Sequence, residues 1–196
     1  MTTSDQNRST ALVTGASRGF GRAIASALHA EGAQVVAVAR HAEPLSSLRD
    51  ELGDRLTPVV ADVADPVVAG ALIEQHRPDA LVLNAGAAPL LRPLQHHTWE
   101  TFSRTWDVDV RQAFHWIREA LLLPLRPGST VVALSSGAAV AGYAHRDGLD
   151  VREFLDRFGP TLTPEDVGKT TVGLVTSDEQ PPGPYLLTAA GLTPLG

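Results

Sequence analysis

The stretch Thr14-Gly15-Ala16-Ser17-Arg18-Gly19-Phe20-Gly21 joins an apolar run, Ala11–Thr14, to a segment in which Phe20, Ile24, Ala27 and Leu28 share one helical face. Glycines at such a junction let the backbone turn tightly and approach a pyrophosphate, whose charge sits at the helix N-terminus. Any strand-to-helix turn favours glycine, so the loop alone leaves a purely structural turn open. The loop lacks the G-K-[ST] ending of a nucleotide-hydrolysing phosphate loop, and no G-x-S-x-G surrounds Ser135 or Ser136. His96-His97 has no carboxylate at ligand spacing and reads as a polar loop, so no metal is expected. The absence of cysteine excludes disulfides, thiolate zinc sites and cysteine nucleophiles.

Placing that loop requires an alternation of strands and helices, and the chain supplies one. Near-continuous apolar runs at Ala11–Thr14, Gln34–Ala39, Pro58–Ala61, Ala80–Asn84 and Thr130–Ser135 suit strands covered on both faces. Between them, Leu45, Leu48 and Leu52 mark a helix with Pro44 near its first turn and Gly53 at its end. Pro66 opens another that runs to about His76. A long helix is expected over Thr98–Leu123, after a short one, with Phe102, Trp106, Val110, Phe114 and Ile117 on one stripe. Further on, Val151–Phe158 and Pro164–Ser177 read as helices, the second with Thr163 as N-cap. Tyr185–Thr188 reads as a last strand, expected to pair with the fifth. The organisation expected is a tail at 1–9, a dinucleotide-binding unit at 10–142, and helices and a last strand at 143–196 completing the same domain.

The spacing of Gly15, Gly19 and Gly21 resembles the T-G-x-x-x-G-x-G motif of the short-chain dehydrogenase/reductase family, and three more motifs follow in that family's order. Asp62-Val63 follows the third strand, Asn84-Ala85-Gly86 ends the fourth, and Ser135-Ser136 ends the fifth. The resemblance implies an α/β fold of Rossmann type, a doubly wound parallel sheet in three layers, here lacking one family strand and helix. It also implies that Thr14, Gly15, Ser17, Arg18, Gly19, Phe20 and Gly21 hold the coenzyme phosphates. Asp62 and Val63 would meet the adenine, and Asn84, Ala85 and Gly86 would close over the coenzyme. An NAD enzyme of this type carries an acid at the end of the second strand; Val38-Ala39-Arg40 has none there. Arg40 and Arg18 suit a 2′-phosphate instead, so NADP(H) is favoured over NAD(H), with Arg40 as a merely solvated strand end the alternative.

The family's catalytic pattern is Asn, Ser and Y-x-x-x-K, in which a lysine ammonium depresses the pKa of a proton-donating tyrosine. Ser136 takes the serine position, unless its hydroxyl only caps backbone. Asp109 stands at the asparagine position. The two tyrosines, Tyr143 and Tyr185, are followed four residues on by Asp147 and Ala189, and the single lysine is Lys169. Tyr143 follows Ser136 by seven residues and is the one candidate substitute acid. The pattern is that of an internal deletion after Gly142 that removes the tyrosine–lysine segment. Its loss should leave apolar surface on the fifth strand and the long helix, Trp116 included, exposed or repacked.

A net charge of −6 argues against a nucleic-acid surface. No apolar run nears the ~20 residues that cross a bilayer, and the polar start has no signal-peptide core, so a cytoplasmic location is expected. The activity implied is hydride transfer at a small carbonyl or alcohol substrate, impaired by the missing pair; the alternative is a non-catalytic NADP(H)-binding or partner-binding remnant. A homo-oligomer is compatible with either.

Overall fold

The computed structural model describes residues 9–88, 90, 92–135, 162–177, 181–188 and 191–195. Five strands, β1 (Thr10–Thr14), β2 (Gln34–Ala39), β3 (Leu56–Val60), β4 (Ala80–Leu83) and β5 (Thr130–Ala133), form one parallel sheet in the order β3-β2-β1-β4-β5. The order reverses at β1. This places the crevice that such sheets offer to ligands at the carboxyl ends of β1 and its neighbours. The helices are α1 (Gly19–Ala30), α2 (Ala42–Leu52), α3 (Pro66–His76), α4 (Trp99–Thr105), α5 (Arg111–Leu122) and α6 (Pro164–Thr176). The chain has the three-layer, Rossmann-type α/β architecture.

Side chains of β1, β2 and β4 alternate between two cores, which is why both sides of these strands are apolar. Ala11, Val13, Val35 and Ala37 pack with Ile24 and Leu28 of α1, Leu45 and Leu48 of α2 and Val167 of α6. On the other face Leu12, Val36, Val38, Leu81 and Leu83 meet Ala69, Leu72 and Ile73 of α3 and Trp116 of α5. Registers run Thr10↔Gln34 between β1 and β2, Ala11↔Ala80 between β1 and β4, and Ala80↔Thr130 between β4 and β5.

Several expectations need correction. The expected long helix is interrupted: a capping box of Thr98 and Thr101 starts α4, a π-turn spans Trp106–Val110, and α5 follows. A 3-10 turn at Leu94–His96 is the short helix before it. Of the two outcomes expected for Trp116, exposed or repacked, the structure has it fully buried, with its indole nitrogen donating to the Val63 carbonyl at 2.9 Å. Phe102, Trp106, Val110, Phe114 and Ile117, expected on one stripe, are all exposed. Helix α5 approaches the sheet side with Ala113, Trp116 and Ala120 instead. Tyr185–Thr188 is a strand, β6, yet it does not join β5. It pairs antiparallel with β7 (Gly191–Pro194), a strand that was not expected, in a separate two-stranded sheet. The expected helix at Val151–Phe158 lies outside the described residues.

Candidate coenzyme cleft

β1 ends at Thr14, whose buried hydroxyl donates to the Val82 carbonyl at 3.3 Å and accepts from the Asn84 and Ala85 amides at 3.0 and 3.2 Å. That hydroxyl therefore ties β1 to the loop after β4. The turn beyond it is pinned on the opposite side, where the Gly15 and Ala16 amides donate to the Val38 carbonyl at 2.8 and 3.2 Å. Gly15 has φ +69° and Gly19 φ +55°, the left-handed region where glycine is unstrained. A Cβ on Gly15 would stand 2.7 Å from the Ala85 Cα, and one on Gly21 would collide with the Gly15 carbonyl and the Asn84 amide. A Cβ on Gly19, in contrast, would meet open space. Two of these glycines thus serve close packing, while the third lies at an open mouth.

Helix α1 begins at that mouth with no side-chain cap and no acidic residue in its first turn. α3, α4 and α6 are each capped by their own Asp65, Thr98 or Thr163 side chain. The first-turn amides and dipole of α1 are accordingly presented to an external anion. Arg18 and Arg40 are exposed beside this turn and at the end of β2, and neither guanidinium group has a hydrogen-bond or ion-pair partner among the described residues. The donor set fits a pyrophosphate with a further phosphate on the β2 side. Ser17 is half-buried and Phe20 is 40% exposed in the same turn.

The second motif, Asp62-Val63, splits in two. Asp62 is exposed, its Oδ1 accepting from the Ala64 amide at 3.0 Å, whereas the Val63 side chain is buried and its carbonyl receives Trp116. In the third, the Asn84 amide nitrogen donates to the carbonyls of Thr14 and Gly15 at 3.0 and 3.4 Å, which fastens the two loops together. Gly86 is exposed. Asp109, in the π-turn, accepts from the Ala87 amide at 2.7 Å. The residue standing at the family asparagine position therefore holds the β4 loop. Gln112, one turn on, donates to the Ala85 carbonyl at 2.7 Å. The sequence reading missed it, although this glutamine, four residues before Trp116, is the one polar residue of α5 that is buried.

Ser136 and Tyr143 lie outside the described residues. Lys169, on α6, lines a groove between α1 and α6 that Arg22, Glu31 and Glu165 also line. Among the described residues there is no group of acidic and histidine side chains that could hold a metal, and no helix long and apolar enough to cross a membrane.

Comparison with known proteins agrees with this geometry. The sequence profile of the short chain dehydrogenase family matches residues 9–147. D-erythrulose reductase of Gallus gallus is 32% identical over 158 residues, covering 79% of this chain and 64% of its own. L-xylulose reductase of Homo sapiens is 37% identical over 123 residues, 61% of this chain and 50% of its own. The chain thus spans between half and two thirds of the length of these relatives. Among solved structures, a blue fluorescent protein from a metagenomic library in complex with NADPH superposes with a TM-score of 0.62 at 33% identity, covering 69% of this chain and 59% of that one. From the glycine turn to the end of β5, fold, motif order and sequence agree: the chain belongs to the short-chain dehydrogenase family.

Proposed function

We propose that the chain binds NADP(H) across the carboxyl end of the sheet, as an oxidoreductase-type domain for a small carbonyl or alcohol substrate. The observation that carries this reading is the uncapped N-terminus of α1 behind its glycine turn, flanked by two arginines whose guanidinium groups have no partner among the described residues. The first-turn amides would hold the pyrophosphate, and Arg18 and Arg40 the adenosine 2′-phosphate, for which planar guanidinium groups are suited. Asp62 would meet the adenine end. Asn84, Ala85 and Gly86 would wall the opposite end, because β4 stands across β1 from β2. When bound, the coenzyme supplies or accepts the hydride. Support for the phosphate-bearing coenzyme includes the NADPH-bound relative.

The chain's own residues are poorly equipped for the proton. No Y-x-x-x-K occurs, so no lysine four residues on assists a phenol in this sequence. Ser136 would orient a substrate oxygen and Tyr143 is the remaining phenol near it in sequence; Asp109 is already engaged by the Ala87 amide. Coenzyme binding with impaired turnover follows, and an internal deletion after Gly142 accounts for it. The absent tyrosine–lysine pair equally favours a second reading, a non-catalytic NADP(H)-binding or partner-binding remnant.

Fluorescence titration with NADPH, followed by its oxidation in the presence of ketones and aldehydes, tests both. Binding with little or no turnover is expected. Rapid turnover abolished by Tyr143→Phe would overturn the impairment, and absence of binding would overturn the function.

A further inference from the structure

One face of α5 reaches the loops that follow two non-adjacent strands. Gln112 is 2% exposed, and its Nε2 donates to the Ala85 carbonyl at 2.7 Å, just after β4. One turn later the wholly buried Trp116 donates its Nε1–H to the Val63 carbonyl at 2.9 Å, just after β3. In the sheet, β2 and β1 lie between β3 and β4, so these strands are roughly 14 Å apart and share no backbone ladder. The helix connects what the sheet keeps separate.

The choice of glutamine is informative. Its Oε1 is buried and has no hydrogen-bond partner among the described residues. An unmade bond of this kind carries a penalty, and a leucine of similar size would pack there without it. Stability alone does not explain the amide; a fixed Ala85 carbonyl does.

Resting on the coenzyme reading above, we propose that Gln112 and Trp116 are positioning residues for the coenzyme. Gln112 sets the 84–87 loop at the nicotinamide end, Trp116 sets the Asp62–Val63 loop at the adenosine end, and α5 fixes the span between them. Each side chain acts through a backbone carbonyl and touches no reacting atom.

The two ends of the brace are separable with a half-ligand. The full chain is titrated with NADPH and with adenosine 2′,5′-bisphosphate, which reaches only the adenosine side. Gln112→Met, which keeps length and removes the donor, is expected to weaken NADPH about tenfold while leaving the bisphosphate within about twofold. Trp116→Phe, which keeps an aromatic ring and removes the N–H, is expected to weaken both ligands. A Gln112→Met chain that binds NADPH as the parent does, or that loses both ligands equally, overturns the proposal. A parent chain that binds neither ligand overturns the coenzyme reading itself. A further measurement needs no variant. Trp99 and Trp106 are exposed, so Trp116 should give the one slowly exchanging indole N–H resonance among the three tryptophans. That resonance is expected to shift on adding NADPH; its constancy under saturating coenzyme overturns the proposal.

Discussion

Arg40 ends β2 in solvent with no partner among the described residues, so its charge is available to a ligand phosphate. Charge-assisted bonds of this kind contribute about 1.5–3 kcal/mol. Arg40→Ala is accordingly expected to weaken NADPH by about 10- to 100-fold while leaving NADH nearly unchanged, as paired titrations would show; equal loss of both would assign Arg40 a different role. Gly21 makes the complementary case, because its constraint is space. A methyl group there collides with the Gly15 carbonyl, so Gly21→Ala should lower both the melting temperature and NADPH affinity, and a variant as stable and as tight-binding as the parent would contradict the cradle. Residues such as these were legible in the sequence because the demand for glycine is local. Trp116 and Gln112 were not: their partners, Val63 and Ala85, lie 53 and 27 residues away, and no local pattern encodes a tertiary hydrogen bond.

Helix α6 shows how far an element can be read before its neighbours are known. Its start was visible in Thr163-Pro164-Glu165-Asp166, which forms a capping box, with the Thr163 hydroxyl and amide holding the Asp166 carboxyl below its usual pKa range. Its packing was not visible. Gly168 lies against α1, where an added Cβ would stand 3.0 Å from the Ala23 carbonyl oxygen; Gly173, in the same helix, has open space around it. Opposite outcomes follow. Gly168→Val should force α6 away from α1 and cost about 1–3 kcal/mol. Gly173→Ala should stabilise by about 0.5–1 kcal/mol through helix propensity. Thermal melts decide, and a Gly168→Val chain that melts with the parent would refute the close approach. The long helix before β5 misled for a related reason. Its large apolar residues suggested the core face, but a helix lying close on a sheet presents small residues, here Ala113 and Ala120 around Trp116, and leaves Phe114 and Ile117 outside.

At the level of the whole molecule, the parallel sheet was legible because both faces of its strands are apolar, while the β6–β7 pairing was not, since Gly191–Pro194 carries no strand pattern of its own. Fold stability should depend on mild acid. Burial, reinforced by the Arg55 charge, lowers the pKa of His29, and burial lowers that of His76. The folded chain therefore binds fewer protons than the unfolded chain below the ordinary histidine value of 6.5. Their contribution is fully present above that value and is lost as pH falls toward the depressed folded values. The melting temperature should drop between about pH 7 and 5, less steeply in His29→Gln; identical slopes would reject the assignment. The central claim is that a phosphate-bearing dinucleotide lies over the glycine turn with its adenosine end among arginines. Calorimetric titration of the purified chain with NADP+ and NAD+ side by side tests it most directly. Saturable binding of NADP+, at least about tenfold tighter than NAD+, is the predicted result; heat of binding from neither dinucleotide, on a chain that still melts cooperatively, would contradict it.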